Sequence, residues 1–145
     1  MMKYSDLKNF MFGVSSSAFQ IEGAAQTGGK GPSTVDTRFV RPGIADTSVA
    51  SDFYHHWEAD IELLRELGVK AYRFSISWTR IFPDGEGELN QEGLDFYTKI
   101  IDRLLEYKIE PVVTIYHLKK KKKLVDQYGG WLGRETIYAY EKYAK

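Results

Sequence analysis

The sequence has no cysteine. That excludes disulfides and thiolate metal sites, and it fits, without requiring, a reducing cytoplasm. It has no net charge at neutral pH, twenty Lys and Arg balancing twenty Asp and Glu, so no global field draws it to nucleic acid or an anionic membrane. No apolar run approaches the ~20 residues of a membrane span. The opening Met-Met-Lys-Tyr-Ser-Asp-Leu-Lys-Asn has no stretch long and apolar enough for a secretory signal. The expectation is a soluble cytoplasmic chain with neither nucleic acid nor membrane as a partner. What is present is globular: 145 residues, 43% hydrophobic, 28% charged and 14% aromatic, the size of one domain with a real core.

Hydrophobic periodicity orders the elements. Phe10 to Ser16 alternates roughly and ends in small residues, the pattern of a short buried strand. Gly28 to Ser33 is a loop by its glycines and proline, and Arg38 to Val49 is irregular, with Pro42-Gly43 as a turn. Trp57, Ile61, Leu64 and Leu67 then recur at helical spacing, and Gly68 supplies a left-handed stop. Val69 to Trp78 reads as a strand and Pro83-Asp84-Gly85 as a turn. Asn90 is placed to cap a second helix through its side-chain oxygen, with Glu92 near the positive end of the dipole. Leu94, Tyr97, Ile101 and Leu104 make that helix's apolar stripe. Pro111 to Tyr116 is nearly continuous in apolar character, as in a strand covered on both faces. A third helix is expected from Arg134 to Lys145. Strands alternating with helices at ~40-residue spacing imply parallel pairing with right-handed crossovers, with room for functional loops after the strands. No linker divides the chain, and Lys119–Lys123 is its one low-complexity segment.

Phe10 to Ala24 (Phe-Met-Phe-Gly-Val-Ser-Ser-Ser-Ala-Phe-Gln-Ile-Glu-Gly-Ala) resembles the N-terminal motif of glycoside hydrolase family 1, the β-glucosidases and 6-phospho-β-glucosidases. So do Lys30-Gly31-Pro32-Ser33, Tyr72-Arg73-Phe74-Ser75-Ile76-Ser77-Trp78, Arg80-Ile81-Phe82-Pro83, Gly93-Leu94-Asp95-Phe96-Tyr97 and Tyr128-Gly129-Gly130-Trp131, in family order and spacing. The resemblance implies an α/β fold, a partial (β/α)8 TIM barrel of about its first three units, and thus a single incomplete glycosidase domain over residues 1–145. It also implies a retaining hydrolase of terminal β-D-glucosides or 6-phospho-β-D-glucosides, with water as second substrate and neither cofactor nor metal. The family's acid/base glutamate lies in an Asn-Glu-Pro motif and its nucleophile in Glu-Asn-Gly. Neither tripeptide occurs here, so the chain alone is expected to be inactive and no catalytic residue is assigned. After Tyr-His the family carries an aromatic, Asp, an apolar residue and Pro; here Leu118 and five lysines stand at equal length.

Residue chemistry narrows the candidates. A carboxamide offers donor and acceptor together, which suits paired sugar hydroxyls; the resemblance makes Gln20 a glycone contact, against a plain loop amide bonded to backbone. His117 follows the strand from Pro111, at the end where barrels build sites, and the resemblance makes it a second contact, against a structural histidine. Arg73, by resemblance, would sit beside the missing nucleophile and hold it ionised; without that mate it becomes a costly buried charge unless it faces water. Trp131 is as well explained by packing as by the site, and Glu22 is left structural. His55 and His56 diverge by about 100° on a helix, so no metal site is read. Glu58, Asp60, Glu62, Glu66, Glu92, Asp95, Asp102 and Glu106 read as solvated helix or loop acids.

Three units of a barrel leave two open sheet edges, which pair readily with other chains, so marginal stability and self-association are expected. Two other functional readings stay open: a non-catalytic sugar-binding or interaction module, and polyanion binding through Lys119–Lys123. A solvated, self-repelling loop is the plainer account of the lysines.

Overall fold

Three short strands lie side by side in chain order. A computed structural model describes residues 10–34, 36, 43, 47–117 and 122–145. In it β1 (Gly13–Ser15), β2 (Ala71–Ser75) and β3 (Glu110–Thr114) form a parallel sheet in the order β1-β2-β3. Adding each strand beside the last, always parallel, is the winding of a (β/α) barrel; a doubly wound sheet reverses direction midway. The helices are α1 (Ala18–Ile21), α2 (Phe53–Glu66), α3 (Trp78–Ile81), α4 (Gln91–Glu106), α5 (Lys122–Tyr128) and α6 (Arg134–Ala144), with a 3-10 turn at Gly130–Leu132.

The pleat separates two faces of the sheet. Tyr72 and Phe74 of β2 point to the helix layer and join a core with Ile61 of α2, Ile100 and Leu104 of α4, and Ile109. Ala71, Arg73 and Ser75 take the opposite face, in register with Glu110, Val112 and Thr114. In a closed barrel that face is the interior. A second part of the core gathers Trp78, Ile81, Phe82, Phe96, Leu124 and Ala139, tying α3, α4, α5 and α6 together above the strands.

Several sequence expectations are corrected. β1 is present but not buried: Phe10, Met11, Phe12 and Val14 are exposed, because β1 is one edge of the described sheet. β3 is not covered on both faces, with Val112 45% and Val113 36% exposed, because it is the other edge. β2 stops at Ser75, and Trp78 opens α3 instead of ending the strand. α2 buries Ile61 and part of Trp57 and Leu64, whereas Leu67 lies beyond its end, exposed, before Gly68 at φ +69°. The buried face of α4 is Gly93, Phe96, Tyr97, Ile100 and Leu104, rotated from the expected stripe so that Leu94 is exposed and Ile101 only partly buried. The lysine run is not simply a loop, since Lys122 and Lys123 begin α5, whose Leu124 is buried. Leu118 and Lys119–Lys121 lie outside the described residues, as does most of Arg38–Val49. Among the described residues no helix is long and apolar enough to cross a membrane.

Candidate functional site

The first candidate is positioned by serines. The chain leaves β1 and turns at once into α1, with Ser17 extended before it at φ −135° and ψ 143°. The Ala18 amide donates to Ser75 Oγ at the carboxyl end of β2, a buried bond of 2.9 Å. That contact fixes the one-turn helix carrying Gln20 onto the neighbouring strand. Ser17 Oγ donates to Gln20 Oε1 at 2.8 Å. Gln20 is exposed, and with its oxygen held by Ser17 the carboxamide presents the two donors of its amide nitrogen.

Glu22 follows two residues later and is 2% exposed. Arg80 of α3, fully buried, approaches Glu22 Oε2 with Nε at 3.3 Å and Nη2 at 3.4 Å. Tyr97 Oη of α4 donates to Glu22 Oε1 at 2.5 Å and accepts from the Ser77 amide at 2.8 Å. Arg80 Nη1 also donates to the Thr27 carbonyl at 3.2 Å, and its guanidinium lies 4.2 Å from the Tyr54 ring centroid. Burial, then the Glu22 carboxylate, pushes the Tyr97 hydroxyl well above the ordinary tyrosine range. Both carboxylate oxygens of Glu22 are therefore engaged, which agrees with reading it as structural and gives it no free oxygen for chemistry.

Asn90 belongs to the same assembly and corrects the capping expectation. It stands at the N-cap of α4 without a side-chain cap bond. Its Nδ2 donates instead to the carbonyls of Gly28 at 2.7 Å and Arg80 at 2.8 Å. The loop after α1 is pinned from a second side too: the Tyr54 amide donates to the Glu22 carbonyl at 3.0 Å. Gly23 has φ +61°, and a Cβ there would lie 1.9 Å from the Val49 carbonyl oxygen, so only glycine fits that crossing.

Arg73 is exposed on the inner face, and its Nε donates to Thr114 Oγ1 of β3 at 3.1 Å. It is not a buried unmatched charge, because that face is open to water. His117 follows β3 at its carboxyl end, half-buried. Its neighbour Tyr116 accepts a hydrogen bond from Trp131 Nε1 at 3.1 Å, and the two rings meet edge to face at 5.3 Å. Trp131 is thereby held at this end of the sheet by packing, with Tyr140 5.5 Å away.

Gln20 and His117 thus follow adjacent-but-one strands at the same end of the sheet, with Arg73 between them on β2. No acid pair joins them among the described residues: Glu58, Glu66, Glu92, Asp95, Asp102 and Glu106 are exposed on α2 and α4, with Asp60 and Glu62 half-buried there. Glu110 shares the inner face but stands at the amino end of β3. No group of three or more His, Asp or Glu among the described residues could hold a metal ion; His55 and His56 both pair with Asp52 instead. Sequence reasoning missed Arg80, Tyr97 and Ser17. A charge set in the apolar run Trp78 to Phe82 was the available signal, because a buried arginine demands a partner.

The barrel winding, with polar side chains gathered at the carboxyl ends of its strands, defines an α/β-barrel protein of the kind that builds sites there. The model of the family Glycosyl hydrolase family 1 matches residues 4–145, and the chain belongs to that family. It is 53% identical over 144 residues to the bifunctional beta-D-glucosidase/beta-D-fucosidase of Bifidobacterium breve, covering 94% of this chain and 31% of the relative. It is 46% identical over 140 residues to the aryl-phospho-beta-D-glucosidase BglC of Bacillus subtilis, covering 94% of this chain and 29% of the relative. Its backbone matches the beta-glucosidase from Thermotoga maritima in complex with glucoimidazole at a TM-score of 0.87 and 46% identity, over 94% of this chain and 32% of that one. The chain therefore spans about a third or less of the length of these relatives.

Proposed function

We propose that the chain is the sugar-holding front of a retaining β-glycosidase acting on terminal β-D-glucosides or 6-phospho-β-D-glucosides, and that these 145 residues alone do not cleave them. Residues 1–145 make up a single incomplete barrel domain. Cleavage with retention needs two carboxyl groups about 5–5.5 Å apart, one protonating the leaving oxygen and one attacking the anomeric carbon. The observation that carries the reading is Gln20: an exposed carboxamide, oriented by Ser17, at the carboxyl end of the strands, beside a glutamate wholly engaged by Arg80 and Tyr97. Gln20 and His117 hold the glycone hydroxyls. Arg73 stands ready to lower the pKa of a nucleophile brought against the inner face, as an adjacent positive charge does. The chemistry calls for neither cofactor nor metal, its setting is the cytoplasm, and the open edges of β1 and β3 are the route to self-association. Neither nucleic acid nor membrane is a partner.

The test uses a chromogenic β-glucoside and its 6-phospho form, with glucose as the binding probe. No turnover and saturable glucose binding that Gln20→Ala abolishes are expected. Turnover by the purified chain would overturn the inactivity, and binding indifferent to Gln20→Ala would remove the sugar assignment. The same Gln20 geometry also favours a second reading, a sugar-binding module without a hydrolytic partner. Adding a polypeptide that carries the remaining strands and both glutamates separates the two, since only the first reading expects turnover to appear.

A further inference from the structure

Glu22, two residues beyond the candidate sugar contact, has no chemical role in the proposed function, yet its buried side chain is bound by both Arg80 and Tyr97. Glu22 sits one residue beyond α1, and its amide closes that helix on the Ala18 carbonyl at 3.0 Å. Its backbone is therefore part of the turn that carries Gln20, while its side chain reaches away to α3 and α4. The turn is held at three points: Ala18 on Ser75 of β2, Glu22 on Arg80 of α3, and Glu22 again on Tyr97 of α4. Tyr97 in turn takes the Ser77 amide, at the start of α3.

We infer that Glu22, locked by Arg80 and Tyr97, is a positioning residue that sets the place and order of the Gln20 carboxamide. The physical reason is the brevity of α1. A four-residue helix cannot hold its own geometry, since helix nucleation is unfavourable and short helices depend on tertiary contacts. The one element carrying the candidate sugar contact is thus only as rigid as its anchors, and the anchor next to Gln20 is an ion pair in which Arg80 is fully buried. The loop beyond it cannot substitute, because Gly23 takes its left-handed φ of 61° freely and stays flexible, and Ala24, at φ 46°, holds that conformation only while its surroundings impose it.

The inference rests on Gln20 being the sugar contact, so the experiment reads the two separately. The 15N-labelled full chain is titrated with glucose while the Gln20 side-chain amide signal and its relaxation are followed. Tyr97→Phe keeps the ring packing and removes one bond to Glu22 together with the acceptor of the Ser77 amide; Ile100→Val, in the same helix and fully buried, serves as a control for general loss of stability. Tyr97→Phe is expected to weaken glucose binding about three- to ten-fold, the worth of an ordinary hydrogen bond, and to increase the mobility of the Gln20 amide; Ile100→Val is expected to do neither. Glu22→Gln should show the same change more strongly, and Tyr97→Phe keeps the test intact if that variant does not fold. Equal effects of Tyr97→Phe and Ile100→Val, or a Gln20 amide equally ordered in every variant, would overturn the positioning role. A wild-type chain that takes up no glucose would sink the sugar assignment alone, and the mobility of Gln20 would still decide the positioning.

Discussion

Replacing Arg80 by methionine removes the charge but keeps much of the aliphatic stem. The variant loses both approaches to Glu22, at 3.3 and 3.4 Å, the bond to the Thr27 carbonyl, and the cation over the Tyr54 ring. Glu22 then stays buried, its side chain 3% exposed, with Tyr97 as its remaining donor. Removing one partner of a buried ion pair costs about 3–5 kcal/mol, because the survivor is an uncompensated charge. The surviving Tyr97 bond points to the lower part of that range. Domains are stable by only about 5–15 kcal/mol, so the loss is a large share of the whole. Urea unfolding followed by tryptophan fluorescence reads it directly, since Trp78 is 2% exposed and lies in the same core. The midpoint should fall while the slope stays constant. The double variant Glu22→Leu with Arg80→Met should recover much of the loss, because apolar replacement of a whole buried pair is often neutral. A loss in Arg80→Met below about 1 kcal/mol, the size of an exposed pair, would refute the reasoning, as would a double variant no more stable than the single one.

Alkaline pH gives an independent check. Burial raises the hydroxyls of Tyr72, Tyr97 and Tyr143 above the ordinary value of 10.0, with Glu22 adding to the rise at Tyr97. Their stabilisation is therefore complete below pH 10 and is lost as pH climbs through the higher folded values; the urea midpoint should begin to fall above pH ~10, less steeply in Tyr97→Phe. Arg73→Ala should change stability by less than about 0.5 kcal/mol, as exposed sites do, and a loss above ~2 kcal/mol in the same assay would mean that the guanidinium is buried. Sedimentation velocity should find concentration-dependent association through the sheet edges, with Val112→Lys, on the open face of β3, raising the monomer share; a wild-type chain that stays monomeric at high concentration would count against it.

Much of this fold was legible because period and punctuation agree. Ile61 and its neighbours repeat at helical spacing and end at Gly68, and Tyr72 and Phe74 alternate with Arg73 as a half-buried strand must. Burial at the edges was not legible: Pro111 to Tyr116 has the same apolar character whether or not anything covers it. Trp78 continues an apolar run, so it read as strand, although the chain has already turned to bring the Ser77 amide to Tyr97. Asn90 read as a cap because its oxygen could serve; its nitrogen is used instead, and that depends on two carbonyls brought close by long-range folding. Gln20 and His117 are candidates through their motifs alone, and the anchors of Gln20 were not legible, because Glu22, Arg80 and Tyr97 are far apart in sequence and meet only in the folded chain.

The wet inner face at Arg73 has a bearing on reassembly. Any polypeptide that completed the barrel over this sheet would strip water from a guanidinium whose described bond is to Thr114. Desolvating a cation without an acceptor is heavily penalised, so a complement arriving with an acid at the right height would dock and one lacking it would be rejected. On the proposed function, Arg73 would therefore select among polypeptides that could complete the sheet.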